Sequence, residues 1–581
     1  MMLATNRRVS RIAFFSVLLL MGFSVPRVFA QDTPENNPML RGEGGTAQTS
    51  SAKATSSARA SVAQTSGVSG PQSSPFNPDP EANPVDDNRF VVNGGSGLDT
   101  GCTFRDGGPL RFDIEITRYV GPVGANGKLS NPGALVSSGV VSPRAKLSMP
   151  SFDVDANAQP EDGAPEVDQV LFNGQPIGVL DGRDNDWVPN SFEVPIERVK
   201  FPTRGTQGSA PSPAENTVTI KIDQANSDEK WCTSVDWAAL SFEAVSPTIF
   251  VHGLAEDAAF FDRQGLAGDL KARDLPIDGC GSCQNPIELT DSDPRQNTPR
   301  QNGEDLGEMI PGIVKSFGAD SYHLVAHSKG GLDTRVFLAS YGRSGNLKLL
   351  SYNSISTPHD GTVLADLFVK YGTALERGAE KDEFNGFPDF TDQVISLGYG
   401  VRGGAENLES LTTAWLADFN TTNRSRLPGN AFYNTLAADA DENGNDRIDS
   451  EPNEFKEFVA EGPSFFESLS GAPIGWILNR PYQIIRQTRG VKMNLENRTV
   501  PFKGVPVDNV RVAVFDAVSA TNRDNDILVA APSAHGRGSF SRITRQSPSA
   551  IQGENHVSIV NVAKYRIIPW IFQAERALGD L

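Results

Sequence analysis

The residues with the clearest chemical potential surround Ser328, in the stretch YHLVAHSKGGLDTR. An apolar run typical of a strand leads to this serine, and a helical pattern with apolar spacing begins directly after it. In a nucleophile elbow the serine lies at the tip of a tight strand-to-helix turn, and the residues two positions before and after it must be small. Ala326 and Gly330 meet that requirement. The alternative is an ordinary N-cap serine, but the strand before and the helix after favour a nucleophile.

A neutral serine hydroxyl is a poor nucleophile and needs a base. The chain has six histidines, of which three belong to predicted strands or their ends: His252, His323 and His327. In the hydrolase order the acid follows the serine and the histidine comes last. His556, in GENHVSIV before the last helix, is therefore the favoured base among the remaining three, with His535 as the second candidate.

The acid of such a triad is expected after a late strand, where it orients the imidazole and stabilises its charged form. Three aspartates follow or end the apolar run VRVAVFDAV: Asp516, Asp524 and Asp526. Asp526, at the entry to another apolar run, is the favoured acid, and the other two stay open as alternatives.

A tetrahedral intermediate also needs hydrogen-bond donors for its oxyanion. The backbone amide of Lys329 follows the nucleophile at a helix N-terminus, where the helix dipole favours negative charge. The second donor is expected from the loop after the first strand, and VHGLAE places the amide of Leu254 there.

Alternating strands and helices are needed to position these residues, and this pattern runs from about residue 246 onward. Strands are predicted at PTIFVHG, YHLVAH, LKLLSYNSIS and VRVAVFDAV, and a helix at EDLGEMIPGIVKSFG. Such alternation predicts an α/β fold with a mostly parallel sheet and helices on both faces. In these sheets the ligand site lies beyond the carboxyl ends of the strands, which is where the candidate residues occur.

Residues 89–245 show a different pattern, in which apolar and polar residues alternate, as in LRFDIEI and TVTIKI. Asn173-Gly174 stands between two apolar runs, a strong hairpin signal. We predict an all-β sandwich accessory domain here, followed by the catalytic domain at 246–581.

The first 88 residues precede any folded domain in this interpretation. Arg7, Arg8 and Arg11 come before a short apolar run, and small residues at Val28 and Ala30 predict a secretory signal peptide at 1–30. Residues 31–88 are rich in Ser, Ala and Gln and predict a disordered linker. The protein is expected to be secreted, extracellular or periplasmic, with no transmembrane segment after cleavage. The excess of 71 acidic over 52 basic residues argues against nucleic acid as a partner.

Four cysteines suit an oxidising compartment. We favour the pairs Cys102–Cys232, at the ends of the β-rich segment, and Cys280–Cys283, within CGSC. A redox or zinc role for CGSC is the weaker interpretation, because no second pair or nearby histidine completes a site.

At the residues that carry chemistry, the sequence resembles the secreted bacterial true lipases, which are triacylglycerol lipases of the α/β-hydrolase superfamily. The matching pieces run in the family's order over about 247–581: FVHGL, LVAHSKGGLDTR, ISTPHDGT, LESLTTAWLADFN, NDILV and ENHVSIVN. The resemblance implies a nucleophile at Ser328, an acid at Asp526, a base at His556 and oxyanion amides at Leu254 and Lys329. It implies ester hydrolysis through an acyl-enzyme intermediate.

Two positions depart from the family's pattern. The family often has an aspartate two residues after the catalytic histidine, which helps to bind a structural calcium, and this chain has Ser558. The usual NDG is NDI, with Ile527. The long interval between Ser328 and Asp526 predicts a cap or lid insertion at about 367–509.

Cofactors are not required for this chemistry, but a structural calcium ion is possible at two acidic segments. Asp439, Asp441 and Asn443 match the opening of a calcium loop, although the twelfth position lacks the usual glutamate. A second acidic segment lies in the β-rich part: Asp153, Asp155, Asn157, Glu161, Glu166 and Asp168. The alternative for both is a solvated acidic loop.

The sequence thus predicts a secreted serine hydrolase that cleaves carboxylic esters of lipids. Its expected substrate is a lipid or another ester, which can lie at a lipid–water interface. Two alternatives remain. One is an extracellular polyester depolymerase, which can use the same elbow with alanine at its first position. The other is a non-catalytic binding protein that acts through its β-sandwich.

Overall fold

The structure is a computed structural model of the 581-residue chain. It describes residues 74–76, 88–93, 98, 103–104, 108–156, 165–224, 231–254, 256–289, 298–342, 347–377, 381–385, 404–447, 474–502, 504–520, 523–536, 538–540, 545–546 and 549–579. The predicted signal peptide and most of the predicted linker lie outside these residues. Among the helices described, none has the length and apolar character needed to cross a membrane.

Antiparallel strands build the described part of the chain before residue 246. They are β1 (Arg89–Asn93), β2 (Thr103–Phe104), β3 (Leu110–Ile116), β4 (Arg144–Phe152), β5 (Gln169–Phe172), β6 (Gln175–Val179), β7 (Trp187–Pro195), β8 (Ala214–Lys221), β9 (Cys232–Val235) and β10 (Trp237–Ser241), with helix α1 (Pro132–Ser137) after β3. One sheet has the order β1-β10-β4-β9-β2 with β7 paired to β4, and the other has the order β3-β8-β5-β6. The β-rich character predicted for this segment is therefore present. Helix α1 was not predicted, because six residues are too few to show a helical period.

Alternation in the sequence explains the burial of these strands. In β3 every second residue is buried and the charged residues between them are exposed. Asn173 and Gly174 both have positive φ, at 49° and 77°, in the turn between β5 and β6, as an Asn-Gly hairpin requires. Buried residues of both sheets belong to one hydrophobic cluster, including Phe112, Ile114, Leu147 and Leu240.

From residue 248 onward helices and strands alternate. The strands are β11 (Thr248–Val251), β12 (Ile277–Asp278), β13 (Ser321–His327), β14 (Lys348–Ile355), β15 (Lys381–Asn385), β16 (Phe432–Leu436), β17 (Ala438–Asp439), β18 (Thr488–Phe502), β19 (Val505–Ser519), β20 (Arg545–Gln546) and β21 (Ile551–Gln552). The helices are α2 (Phe260–Arg263), α3 (Leu266–Lys271), α4 (Pro299–Ser316), α5 (Lys329–Ser340), α6 (Val363–Glu376), α7 (Gly404–Glu409), α8 (Thr413–Asn423), α9 (Ile474–Gln487), α10 (Ala531–His535) and α11 (Ile559–Gly579). The main sheet has the order β12-β11-β13-β14-β16-β20, and each of its pairings is parallel.

Helices cover both faces of this parallel sheet. Phe250 and Val325 point to one face, where they join a cluster that includes α3 and α11 residues. Their neighbours Val251 and Leu324 point to the other face, where they pack with α4 and α5. Adjacent strand residues alternate between the two faces, so a strand covered on both sides is apolar throughout. The prediction of a mostly parallel sheet with helices on both faces holds for the described residues.

Two details of the prediction are wrong. The run Val510–Val518 was expected in the parallel sheet, but it belongs to β19, which pairs antiparallel with β18 and parallel with β15 in a separate three-stranded sheet. A short turn at Gly504, where φ is 84°, joins β18 to β19. Closing this short loop loses less chain entropy than pairing with a distant parallel strand would. In addition, the segment predicted as a cap at about 367–509 contains β16, which is a strand of the central sheet.

Polar contacts join the β-rich and α/β parts. The amide of Tyr119 donates to the carbonyl of Phe317 at 2.8 Å. Arg204 forms an ion pair with the buried carboxylate of Asp278 and lies over the ring of Phe317, 3.7 Å from its centroid.

The structure bears on each of the two predicted disulfides. Cys280 and Cys283 are bonded to each other. Cys232 is also disulfide-bonded, and its predicted partner Cys102 lies outside the described residues.

Candidate active site

Ser328 occupies a strained turn between β13 and α5. Its backbone angles are φ 51° and ψ −130°, a conformation that a residue with a Cβ rarely adopts. The turn is tight because α5 begins at the next residue. A Cβ added at Gly330 would lie 2.1 Å from the carbonyl oxygen of His252, so only glycine fits there. Ala326 is fully buried, whereas Ser328 remains partly exposed.

His556 and Asp526 extend a hydrogen-bonded chain from this serine. Oγ of Ser328 lies 2.8 Å from Nε2 of His556, and Nδ1 of His556 lies 2.9 Å from Oδ2 of Asp526. An ionised carboxylate only accepts hydrogen bonds, so Nδ1 carries the proton and Nε2 is free to accept from the serine hydroxyl. This is the tautomer that a general base requires.

The loop after β19 holds Asp526 in place. Its Oδ1 accepts hydrogen bonds from the amides of Leu528, at 3.0 Å, and Val529, at 2.7 Å. Its carbonyl accepts from the amide of His556 at 3.1 Å, and the residue is completely buried. The structure therefore brings the favoured acid to the favoured base.

The other candidates lie elsewhere. Asp524 is exposed, and Asp516 lies in the β18–β19 hairpin, where it accepts from the side chain of Asn494 at 3.2 Å. His535 ends the short helix α10. The histidine that accepts the hydrogen bond from Ser328 is His556.

The two departures from the lipase pattern have local consequences. Ile527 has φ 83° and is fully buried, so a β-branched residue occupies a conformation that favours glycine. Ser558 replaces the expected aspartate, and its hydroxyl accepts from the amide of Asn555 at 2.9 Å. The hydroxyl of Ser558 therefore holds the loop that carries the base.

The two predicted oxyanion donors are on segments that approach Ser328. Lys329 is the first residue of α5, and amides in the first helical turn have no partner within the helix. Leu254 follows Gly253, at which an added Cβ would lie 2.8 Å from Cβ of Ser328. The side chain of Lys329 is buried in an ion pair with Asp333 at 2.8 Å, so only its backbone is available to a substrate.

An apolar cluster lies beside this loop. Its buried members come from α5, α6 and the segment around α8: Leu332, Ala365, Leu411 and Leu416. Three partly buried side chains pack against them: Leu254, Trp415 and Phe419. The rings of Trp415 and Phe419 stack with centroids 5.2 Å apart. The partly buried side chains therefore give the cluster an apolar face next to Leu254.

Two residues at the site were missed by the sequence interpretation. Nδ1 of His327 lies 3.0 Å from a carboxylate oxygen of Glu256, and its Nε2 lies 2.8 Å from the carbonyl oxygen of His556. Glu256 also accepts from the amide of Gly253 at 2.6 Å. The sequence groups His327 with the histidines of the strands, and its position directly before Ser328 is the signal that could have identified it. Glu256 shows no pattern that distinguishes it from an exposed loop carboxylate.

A cavity of about 670 Å³ lies on another side of the Asp526 loop. Its walls include Asp360, Thr362, Arg489 and Arg523. None of the three candidate triad residues lines this cavity.

The described part of the predicted calcium loop, residues 439–447, does not form an oxygen cage. Oδ1 of Asp439 accepts from the hydroxyl of Tyr482 at 2.9 Å, and burial raises the pKa of Asp439 to about 6. The carboxylate of Asp441 accepts from the amides of Gly444, at 2.8 Å, and Asn445, at 3.2 Å. These carboxylates face hydrogen-bond donors, whereas Ca²⁺ is held by converging oxygens. The residues present therefore do not fit the ion well.

The second acidic segment is divided in the structure. Asp153 and Asp155 have carboxylate oxygens within 4.8 Å of each other and of Asp184, which was not predicted. Burial raises the pKa of Glu166, and the neighbouring carboxylate of Asp168 raises it further. Asn157 and Glu161 lie outside the described residues. An acidic cluster of this kind is common without an ion, and we assign none.

Comparison with known proteins finds a partial sequence similarity to lipases. No family model matches the chain. The chain is 26% identical over 179 residues to a triacylglycerol lipase of Pseudarthrobacter phenanthrenivorans, covering 30% of this chain and 52% of that protein. A triacylglycerol lipase of Burkholderia plantarii is also 26% identical over 179 residues, with 30% and 47% covered. The chain thus spans about half the length of the curated relatives it matches.

The solved structures that match the chain are more distant in sequence. A Bacillus licheniformis lipase, BlEst2 in propeptide form, is 17% identical, with 56% of this chain and 50% of that one covered and a TM-score of 0.33. EstA from Clostridium botulinum is 14% identical, with 57% and 87% covered and a TM-score of 0.30. At the level of sequence, the chain is therefore similar to proteins named triacylglycerol lipases, and this similarity covers 30% of the chain.

Proposed function

We propose that this protein is a secreted serine hydrolase of the α/β-hydrolase type that cleaves carboxylic esters of lipids, with Ser328, His556 and Asp526 as its triad. The observation that carries the proposal is the continuous hydrogen-bonded chain Ser328–His556–Asp526, with 2.8 and 2.9 Å links, at a serine with positive φ. An N-cap serine needs neither the strained backbone nor an oriented imidazole.

The proposed reaction begins when Oγ of Ser328 attacks the ester carbonyl carbon as Nε2 of His556 takes its proton. The negative charge on the carbonyl oxygen is stabilised by the amides of Leu254 and Lys329. The intermediate collapses when the charged imidazole returns the proton to the leaving alcohol. Water then attacks the acyl-enzyme with His556 again as the base. Asp526 holds the imidazole in its required tautomer and stabilises its charge.

An apolar acyl group is the substrate part that the surroundings favour. The cluster of Leu332, Leu411 and Leu416 is completed by partly buried aromatic rings next to Leu254. Burial of each CH₂ group against such a surface contributes about 0.8 kcal/mol. This supports esters with hydrocarbon acyl chains, of which acylglycerols are one class.

The test is hydrolysis of p-nitrophenyl esters by the purified full chain and by Ser328→Ala. Removal of the nucleophile should lower kcat by ~10⁶-fold, while the exposed-serine control Ser340→Ala should keep wild-type activity. Ester hydrolysis that survives Ser328→Ala at the wild-type rate would refute the triad.

Acyl chains from acetyl to palmitoyl, with a polyester film as a separate substrate, then define the substrate class. Turnover of medium or long acyl chains supports a lipase. Release of monomers from the film without turnover of long acyl chains supports the polyester depolymerase, and no turnover of any ester supports the binding protein.

Secretion is a further part of the proposal and needs its own test, and calcium dependence is tested separately. The mechanism above uses no metal ion. Because the Asp439–Asn443 loop fits Ca²⁺ poorly, we expect EDTA to leave activity unchanged. A loss of activity with EDTA that Ca²⁺ restores would contradict this expectation.

A further inference from the structure

A second buried histidine–carboxylate pair lies directly beside the catalytic one. His327 is fully buried, and its ring stacks on Phe260, with centroids 4.8 Å apart. Its centroid is 4.9 Å from that of His556. The side chain of its partner Glu256 is 12% exposed.

Both ring nitrogens of His327 face acceptors. Nδ1 faces the carboxylate of Glu256 at 3.0 Å, and Nε2 faces the backbone carbonyl of His556 at 2.8 Å. A neutral imidazole has one N–H and one lone pair, so a neutral ring would point its lone pair at an oxygen. Two donors are needed to satisfy both oxygens, and an imidazolium supplies them.

The contacts of this pair connect both halves of the proposed catalytic machinery. The imidazolium holds the backbone of His556, which carries the base. The carboxylate of Glu256 accepts from the amide of Gly253 at 2.6 Å, the residue before the proposed oxyanion donor Leu254. A shift in either segment would misplace a reacting group, and misplacement of about 1 Å lowers rates by about 100-fold.

We infer that Glu256 and His327 form an ion pair that positions the catalytic histidine and the oxyanion loop relative to Ser328. The inference rests on the proposed function. Both are positioning residues, because they act through His556 and Gly253 and do not touch the substrate.

The charge of the pair also matters to the reaction. His556 becomes charged when it accepts the serine proton, next to an imidazolium. The negative charge of Glu256 balances the positive charge of His327. His327 therefore repels the charged form of His556 less than an unpaired cation would. The other charged or titratable groups around the pair are Asp526, next to His327, and His252, next to Glu256.

The pair predicts a pH dependence with a definite sign. Burial alone would lower the pKa of His327, but attraction to Glu256 and the hydrogen bonds to Glu256 and to the His556 carbonyl outweigh it and raise the pKa above its ordinary value. Positioning is therefore complete below the ordinary histidine range and is lost as pH rises through the raised pKa. Removal of the Glu256 charge should move this loss to lower pH.

The experiment compares Glu256→Gln with Glu575→Gln, since Glu575 also pairs with a buried histidine of β13, His323, at 2.9 Å. We would measure kcat and KM for a soluble p-nitrophenyl ester from pH 5 to 10, on variants shown to be folded. Glu256→Gln should lower kcat about 10- to 100-fold, with KM little changed and the alkaline limb of kcat at lower pH. Glu575→Gln should leave both unchanged per folded molecule.

Three outcomes are decisive. Equal kcat values and pH profiles for the two variants, with Ser328→Ala inactive, would overturn this inference and leave the proposed function intact. Full activity of Ser328→Ala would overturn both. Should Glu256→Gln not fold, ¹⁵N spectra of the histidine side chains in the wild-type chain decide instead: protonation of both His327 nitrogens at neutral pH supports the inference, and a neutral ring overturns it.

Discussion

The two ends of strand β13 each carry a histidine–carboxylate pair, with different consequences. In its N-terminal half, Nε2 of His323 pairs with Glu575 on helix α11 at 2.9 Å, and its Nδ1 contacts the hydroxyl of Ser351 at 2.8 Å. At its C-terminal end, His327 pairs with Glu256 and contacts the carbonyl of His556. Both histidines are fully buried.

Position along the strand determines what each pair connects. Glu575 also accepts from the amide of Ser246, so the His323 pair joins the last helix to the segment between the β-rich and α/β parts. The His327 pair lies at the carboxyl edge, where parallel sheets place their ligand sites, and it joins the loops that carry the base and the oxyanion donor. We therefore expect substitutions in the His323 pair to affect the stability of the fold and substitutions in the His327 pair to affect the rate of catalysis.

The largest effect at the catalytic end is expected from Asp526→Asn. The amide cannot hold His556 in the required tautomer, so kcat should fall by ~10⁴-fold with an unfolding midpoint near that of the wild type. Steady-state kinetics with thermal unfolding measure both. Asp524→Asn, an exposed aspartate two residues earlier, is the control and should stay active. Loss of activity in the control alone would move the acid assignment to Asp524.

The next effect is expected from Gly330→Ala. Its Cβ would lie 2.1 Å from the carbonyl oxygen of His252, which forces α5 away from β11 and destabilises the fold by about 1–3 kcal/mol. The displacement also moves the Lys329 amide, so kcat should fall about 100-fold. Gly268→Ala in α3, where no atom lies within 4 Å of an added Cβ, is the control. Equal kinetics and denaturation midpoints for the two variants would mean that the elbow is not tight.

At the structural end, Glu575→Gln should lower stability and leave kcat unchanged. Loss of a hydrogen bond to a charged group reduces the free energy of unfolding by about 1–3 kcal/mol. Burial would raise the pKa of Glu575, but its hydrogen bond and attraction to His323 outweigh burial and lower that pKa. The stabilisation is thus complete at neutral pH and is lost as pH falls from about 4.5 through the lowered pKa. The free energy of unfolding, measured by urea denaturation at pH 7 and at pH 4, should differ less between the two pH values in the variant than in the wild type.

The smallest effect is expected from Glu193→Gln. Glu193 pairs with Arg144 on β4, and both side chains are mostly exposed, at 68% and 62%. Exposed pairs are screened by solvent, so the change in the free energy of unfolding should stay below about 1 kcal/mol. If Glu193→Gln lowered the free energy of unfolding as much as Glu575→Gln does, burial would not explain the different contributions of the two pairs to stability.

Much of the central fold could be predicted because its signals are local. Alternation in β3, the Asn173-Gly174 turn and the apolar strand before Ser328 each fix a short element without reference to distant residues. The nucleophile and base candidates also followed from order along the chain. The structure places Ser328, His556 and Asp526 in contact over separations of 228 and 30 residues.

The remaining features depend on which distant segments meet. β19 could be recognised as a strand, but its partner is β18 rather than the central sheet, and no periodicity in either strand distinguishes these pairings. Glu256 could not be identified for the same reason, since its role depends on His327, 71 residues away. Ile527 is a third case, because the sequence has an isoleucine where the backbone conformation, with φ 83°, favours glycine.

The most direct test of the account is covalent labelling of the nucleophile. A fluorophosphonate reacts only with a serine whose hydroxyl is activated by a base, because attack on phosphorus requires removal of the hydroxyl proton. Intact-mass and peptide mass spectrometry of the labelled full chain should show one adduct, located on Ser328. It should be absent from Ser328→Ala and form far more slowly in His556→Ala. An adduct on a different serine, or none on a chain that hydrolyses esters, would contradict the assignment of Ser328 as the nucleophile.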